Sequence, residues 1–291
     1  DYDIDGVDLG VLFPNFSRFH GDPLNQVKDR DVRLECIRAY NDWLYDEFCA
    51  TNPKRLKGVA LIPPWDVEIA TAEVVRAAKK GYKAALFGPA LDIFGYMPTW
   101  DRYWDPLYAT LEDLGMILTF HQPSAATDRD YFKDPNNVVP GAIKTALNVE
   151  HVHSLIYPAA EMLMSGILER FSSLKVFYAE AGASWIPFTI KQADHWWVKN
   201  SRWDGNILRM SPSDYWRRQC YSGWWSDVIT PGVLRWAGED NLVWEADYLH
   251  TLSTFPRSRQ HQEDSLIDIT DENLRKKLLC DNAVNLFGLD K

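Results

Sequence analysis

The chain has 291 residues, of which 46% are hydrophobic and 25% charged, so it is long enough to bury one large core. Its formal net charge of -10 argues against nucleic acid or an anionic membrane as the main partner. No apolar run approaches the roughly 20 residues of a membrane span, and the opening DYDIDGVDLG does not resemble a signal peptide. Cysteines without metal-binding spacing favour a reducing compartment, so we expect a cytoplasmic protein. The cysteines are Cys36, Cys49, Cys220 and Cys280.

Short apolar runs alternate along the chain with longer amphipathic stretches. The runs are rich in β-branched, aromatic and leucine residues, and most stop at Pro, Gly or Asp, which predicts buried strands. The predicted strands are VDLGVLFP (7–14), LKGVALIPP (56–64), YKAALFGP (82–89), MILTFHQP (116–123), KVFYAEAG (175–182), QCYSGWWSD (219–227) and NLVWEADY (241–248). Apolar residues spaced three and four apart predict helices between the strands. The predicted helices cover residues 30–52, 67–81, 104–115, 159–171 and 184–200.

This alternation predicts a parallel sheet flanked by helices, either an open doubly wound sheet or a (β/α)8 barrel. No glycine-rich dinucleotide or phosphate motif follows the first run, which disfavours the nucleotide-binding folds. Seven strands are visible, one fewer than a barrel needs. We therefore predict an α/β fold, a (β/α)8 TIM barrel in which residues 1–291 form a single domain. In this interpretation the first strand lies upstream of residue 1 and is not in the given sequence.

Polar side chains occupy the C-terminal tips of four predicted strands, the end of a barrel where active sites form. His121, Glu180, Asp227 and Asp247 each end an apolar run, and His250 lies just beyond the last of them. His121 is a candidate metal ligand, Asp247 a candidate ligand or proton acceptor, and His250 a candidate substrate contact. Capping of loop amides or of a helix N-terminus is the structural alternative for the carboxylates. The convergence of four tips favours a functional site.

Three further residues have less specific assignments. Arg18 and His20 lie in the loop FPNFSRFHGDP (13–23) after the first visible strand. Both are candidate substrate-binding residues that face the pocket, and Arg18 is a candidate for holding a substrate carboxylate, with ordinary solvated loop charge as the alternative. Glu245 shares the strand face of Asp247 if the strand alternates regularly. The sequence leaves open whether Glu245 is buried in the barrel or paired with an arginine.

The segments FHQP, YAEAGASWIPF, EADYLHTLSTFP and CDNAVNLFGL resemble the amidohydrolase-2 family, which includes aminocarboxymuconate-semialdehyde decarboxylase and related aromatic-acid decarboxylases. The resemblance extends from residue 3 to residue 289. It implies a barrel with one divalent metal, held by an HxH or ExH pair on the first strand, a histidine on the fifth and an aspartate on the eighth. His121 and Asp247 match the last two positions, and the first-strand pair has no counterpart. Glu180 replaces a histidine that the decarboxylases usually carry after the sixth strand.

From this resemblance we expect a metal-dependent enzyme that decarboxylates a small cyclic or aromatic carboxylic acid without oxidation. Two alternatives are a metal-dependent hydrolase of a C–N, C–O or lactone bond and a non-catalytic barrel that binds a ligand. The expected catalytic residues are Asp247, Glu180 and His250, where Glu180 supplies a proton if the pocket raises its pKa. Zinc is the expected metal, with manganese and magnesium as alternatives. Family habit implies a homodimer.

Overall fold

The structure is a computed structural model that describes residues 1–14, 27–89, 91–121, 153–200, 208–250 and 252–289. Within these ranges, all pairs of neighbouring strands run parallel. The strands are β1 (Gly10–Leu12), β2 (Leu56–Gly58), β3 (Ala60–Leu61), β4 (Ala84–Leu86), β5 (Ile117–Phe120), β6 (Val176–Tyr178), β7 (Cys220–Trp224) and β8 (Leu242–Trp244).

The strands pair strictly in chain order, β1 with β2 and then β3 through β8. β2 and β3 belong to the single run predicted at 56–64. They are separated only by Val59, whose N–H donates to the Leu12 carbonyl at 2.9 Å. The seven predicted strands are thus confirmed, each shorter than predicted. In the described part of the chain, no hydrogen-bonded ladder joins β8 to β1.

Helices follow the strands, as the amphipathic patterns predict. They are α1 (Tyr2–Asp5), α2 (Arg30–Trp43), α3 (Val67–Lys80), α4 (Asp105–Asp113), α5 (Ile156–Met164), α6 (Ile167–Arg170), α7 (Ile186–Asn200), α8 (Pro212–Gln219), α9 (Pro231–Ala237), α10 (Ser258–Ser265), α11 (Glu272–Lys276) and α12 (Asn282–Phe287). Capping residues determine where α3 begins and ends. The Asp66 side chain accepts hydrogen bonds from two backbone amides of the first turn, and Gly81, with a φ of 114°, ends the helix. No helix in the described ranges is long and apolar enough to cross a membrane.

The strands are apolar on both faces because both faces are covered. Buried side chains point alternately to the two faces of each strand and form two sets. The members of one set pack against one another on the inner face of the curved sheet. The other set packs against the surrounding helices. The inner set includes Val59, Leu61, Ala84, Leu86, Ile117, Phe177 and Val243. Because the strands are parallel, their C-terminal tips and the polar residues that follow them lie at one end of the fold.

The segment CDNAVN near the end of the chain is hydrogen-bonded to β8 and to the turn before it. Asn282, which is 3% exposed, donates through its side-chain amide to the carbonyl oxygens of Leu242 at 2.7 Å and Glu239 at 2.8 Å. Leu242 begins β8, the strand that leads to Asp247. The asparagine therefore links the last helix to the strand that carries a candidate site residue.

We expect Asn282→Ala to lower the free energy of unfolding by about 1–3 kcal/mol, because it leaves the buried Leu242 carbonyl without this donor. Urea unfolding followed by tryptophan fluorescence measures the change. Asn285→Ala is the matched control, since Asn285 is exposed on the same helix, and its effect should stay within about 0.5 kcal/mol. Equal effects of the two substitutions would contradict this role for Asn282.

Candidate metal centre

His121 and Glu180 meet at the tips of the neighbouring strands β5 and β6. Nε2 of His121 lies 3.1 Å from Oε1 of Glu180. The His121 side chain is 2% exposed and that of Glu180 is 19% exposed, so both groups are largely removed from water. A buried imidazole beside a buried carboxylate is a polar contact that an apolar strand tip does not need for packing, and it indicates a site.

Asp247 and His250 complete the cluster from the loop after β8. Nδ1 of His250 lies 2.5 Å from Oδ1 of Asp247, and the His250 N–H donates to the Asp247 carbonyl at 3.0 Å. The same Nδ1 lies 3.9 Å from Oε1 of Glu180. One ligand atom from each of Glu180, Asp247 and His250 lies within 4.8 Å of the others. Three predicted residues therefore converge, and His121 joins them through Glu180.

The backbone at both carboxylates is unusual. In the described ranges, Glu180 (φ 52°) and Asp247 (φ 51°) are the only two residues other than glycine with a positive φ. Side chains with a Cβ rarely adopt this left-handed region, and such residues cluster at functional sites where the surrounding structure enforces them. The conformation turns each carboxylate away from the path of a regular strand and toward the other.

The two carboxylates differ in how tightly they hold a proton. Burial acts to raise the pKa of Glu180, but nearby His121, a hydrogen bond with Asp247 and nearby His250 together hold that pKa below its ordinary value. Burial and the charge of Glu180 raise the pKa of Asp247, and the hydrogen bond with His250 only partly opposes them. The Asp247 hydrogen bond raises the pKa of His250. The raised pKa required for a proton donor is thus found at Asp247 and not at Glu180.

Glu245 lies directly beneath the cluster, inside the fold. Its Oε2 accepts the backbone N–H of Glu180 at 2.9 Å. Burial raises the pKa of Glu245 well above its ordinary value, and the charge of Glu180 adds to the effect. The sequence left two alternatives open for Glu245, and the structure places it in the interior. The available signal was Gly223, because a glycine within a strand often marks a close approach of another group.

The remaining candidates are Asp227, which is not part of the cluster, and the loop residues Arg18 and His20. Asp227 accepts the N–H of Ser184 at 2.9 Å, so it caps the segment that leads into α7, as its structural alternative predicted. Arg18 and His20 lie outside the described residues, so their assignment as substrate-binding groups stays a prediction.

The donor set fits a divalent metal ion. Carboxylate oxygens and imidazole nitrogens are ligands for zinc and for manganese, and several of them lie within reach of one point here. Three acidic side chains, Glu180, Asp247 and Glu245, also lie close together in a largely buried volume, where a bound cation would favour their ionised forms. The predicted ligands His121 and Asp247 both interact with Glu180 in this cluster.

An apolar wall borders the imidazole side of the cluster. The ring of Phe13, just after β1, lies 5.7 Å from the ring of His121 between centroids, and 6.4 Å from that of Phe177. Leu249 and Leu252, which lie before and after His250 in the sequence, expose large apolar side chains. Polar ligands next to aromatic and aliphatic surface are typical of sites for small organic molecules.

Parallel strands in chain order, with helices between them and a nitrogen–oxygen ligand cluster at the strand tips, define a TIM-barrel protein with a candidate metal centre. A family model described as amidohydrolase matches residues 5–289. The chain therefore belongs to the amidohydrolase-2 family, which confirms the resemblance noted in its sequence motifs.

Relatives of known sequence or structure agree with this membership. The chain is 24% identical over 276 residues to gamma-resorcylate decarboxylase of Polaromonas sp. strain JS666, covering 91% of this chain and 80% of the relative. It is similar in structure to 5-carboxyvanillate decarboxylase of Sphingomonas paucimobilis, with a TM-score of 0.76, 20% identity and coverage of 99% and 81%. A dihydroxybenzoic acid decarboxylase from Polaromonas sp. JS666, solved with manganese and 2-nitroresorcinol, gives a TM-score of 0.72, 19% identity and coverage of 100% and 84%.

Proposed function

We propose that this protein is a metal-dependent, non-oxidative decarboxylase of a small aromatic carboxylic acid. The observation that carries the proposal is the convergence of Glu180, Asp247 and His250 within 4.8 Å, with His121 against Glu180. The three relatives named above are decarboxylases of aromatic acids, which supports the choice of reaction. The ring of Phe13, which lies beside His121, suits a planar substrate.

Residues His121, Glu180 and Asp247 would hold the metal, with His250 bonded to Asp247. A divalent ion bound there supplies Lewis acidity toward the substrate carboxylate and a neighbouring oxygen. Glu180 is the anionic member of the carboxylate pair, because its pKa is lowered. It balances the positive charge of the centre and, through its contact with His121, fixes the orientation of the imidazole.

Asp247 is the proposed proton donor: its side chain is only 5% exposed, and its Oδ1 lies 2.5 Å from Nδ1 of His250, which can supply it with a proton. Its carboxyl group gives a proton to the ring carbon that carries the substrate carboxylate. The carbon–carbon bond then breaks, its electron pair restores the aromatic ring, and carbon dioxide leaves. His250, half exposed and hydrogen-bonded to Asp247, returns a proton from solvent to the aspartate.

Hydrolysis is the second candidate, since the Asp247–His250 pair is also suited to accept a proton from water. Zinc remains the proposed metal because nitrogen and oxygen donors suit it, and manganese is the alternative because the two carboxylates favour a harder ion. We also propose that residues 1–291 form one barrel domain, that the protein is a cytoplasmic homodimer, and that Arg18 and His20 contact the substrate.

The test is a carbon dioxide release assay on metal-stripped protein supplied with zinc or manganese. The panel contains 2,6-dihydroxybenzoate and 5-carboxyvanillate, together with a lactone and an anilide for the hydrolytic alternative. We expect one carbon dioxide per molecule of acid consumed, only with metal present. Cleavage of the lactone or anilide without carbon dioxide release from any acid would replace decarboxylation by hydrolysis.

A further inference from the structure

We infer that Glu245 is a positioning residue: its buried carboxyl oxygen holds the backbone of Glu180, and thereby sets where the Glu180 carboxylate stands relative to His121. The inference rests on the proposed metal centre, since Glu180 is one of its ligands. Glu245 itself contacts Glu180 through the backbone N–H, at 2.9 Å, so its effect on the centre passes through that residue.

The path of the side chain is the first observation. Glu245 follows β8 and Glu180 follows β6, and β7 lies between these two strands. The Glu245 side chain crosses β7 at Gly223: a Cβ on Gly223 would lie 2.0 Å from Oε2 of Glu245. No real Cβ comes that close to another atom, so only glycine at position 223 lets the carboxyl group pass. The chain thus leaves a gap in one strand that the Glu245 side chain fills.

The backbone at Glu180 is the second observation. Its φ of 52° lies in the left-handed region, which a residue with a Cβ adopts only when its surroundings enforce it. The N–H of this residue points down to Glu245, and the side chain points to His121, 3.1 Å away. A relaxed, extended Glu180 would release both contacts together. The hydrogen bond to Glu245 therefore couples the strained turn to the position of the carboxylate.

A pure packing role for Glu245 predicts different behaviour. If its volume alone mattered, methionine, which is close to glutamate in length and lacks a hydrogen-bonding oxygen, would replace it. If the acceptor oxygen matters, glutamine would replace it, because its amide oxygen still accepts the Glu180 N–H. Glu245→Gln and Glu245→Met thus form a matched pair that differs in the acceptor and not in size.

The primary measurement is manganese affinity of the metal-stripped protein, from the electron paramagnetic resonance signal of free manganese. We expect Glu245→Gln to bind within about threefold of the wild type, and Glu245→Met to bind roughly 10–100-fold more weakly, as is typical when a group that orients a ligand is lost. Thermal unfolding of the two metal-free variants shows whether both fold. Equal affinities of the Gln and Met variants would overturn the inference, and so would a large loss with Gln, which would make Glu245 itself a ligand.

Gly223→Ala provides an independent test without changing any acidic residue. Its methyl group must displace the Glu245 carboxyl, so we expect weaker manganese binding, as with Glu245→Met. Gly232→Ala is the control, because its Cβ would lie 3.5 Å from its nearest neighbour, the Thr230 hydroxyl oxygen, which is an ordinary van der Waals contact. Wild-type affinity in Gly223→Ala would overturn the inference. Because the readout is metal binding, a wild type that binds manganese but releases no carbon dioxide refutes the decarboxylase proposal alone.

Discussion

Asp247→Ala is expected to remove both metal-dependent turnover and tight metal binding. The substitution takes one ligand atom out of a group of three that lies within 4.8 Å, and it removes the carboxyl group whose pKa the site raises. Loss of a general acid alone lowers rates by roughly 10²–10⁴-fold. Loss of a metal ligand lowers the rate further. The substitution also leaves His250 without the carboxylate that lies 2.5 Å from its Nδ1 and orients its ring.

Asp247→Asn separates the two roles. Asparagine keeps the shape and one oxygen that can bind a metal, but it cannot donate a carboxylic proton. We expect it to retain measurable metal binding and to lose decarboxylation by roughly 10²–10⁴-fold, a smaller loss than in Asp247→Ala. The measurements are metal content of the purified proteins and kcat for carbon dioxide release.

Asp227→Ala is the matched control for both variants. It removes a carboxylate after the neighbouring strand β7, but that carboxylate caps the N–H of Ser184 and is not in the cluster. We expect a modest loss of stability and unchanged metal content. Unchanged turnover in Asp247→Ala, or a loss in Asp227→Ala as large as in Asp247→Ala, would refute the assignment of Asp247.

Much of this arrangement could be predicted from the sequence because buried parallel strands leave a simple pattern. An apolar run with two covered faces carries almost no ionisable residue until it ends, so the ionisable groups that follow it mark a tip. His121 after β5 and Asp247 after β8 were found in this way, and parallel order brings such tips to one end of the sheet. The helix α3 was predicted to within one residue because Asp66 and Gly81 mark its ends.

The direction of side chains at the tips could not be predicted in the same way. Strand alternation assigns faces only while φ stays negative, and Glu180 and Asp247 both leave that region. No local sequence signal predicts this positive φ, since neither residue is glycine. The contacts that enforce it, with His121, Glu245 and His250, come from other strands and loops. The direction of the Glu180 pKa could not be predicted for the same reason, because it depends on these distant neighbours.

Removal of the metal should destabilise the fold as well as the activity. Without a cation, the site holds the buried carboxyl groups of Glu180, Asp247 and Glu245 close together, and their burial is unfavourable whenever more than one is ionised. A ligand at about one hundred times its dissociation constant stabilises the folded state by about 2.7 kcal/mol. For a chain of 291 residues, that corresponds to a rise in Tm of roughly 4–5 °C.

The experiment compares thermal unfolding of the protein in excess EDTA and in excess manganese or zinc. Asp247→Ala is the internal control, because it keeps the fold but lacks a ligand, so its Tm should hardly respond to the metal. A wild type with equal Tm in both conditions would argue against a metal in this cluster, whatever the sequence family. An equal rise in wild type and Asp247→Ala would place the bound metal elsewhere. A rise in the wild type alone would connect stability to the same residue on which turnover depends, because one bound ion then accounts for both.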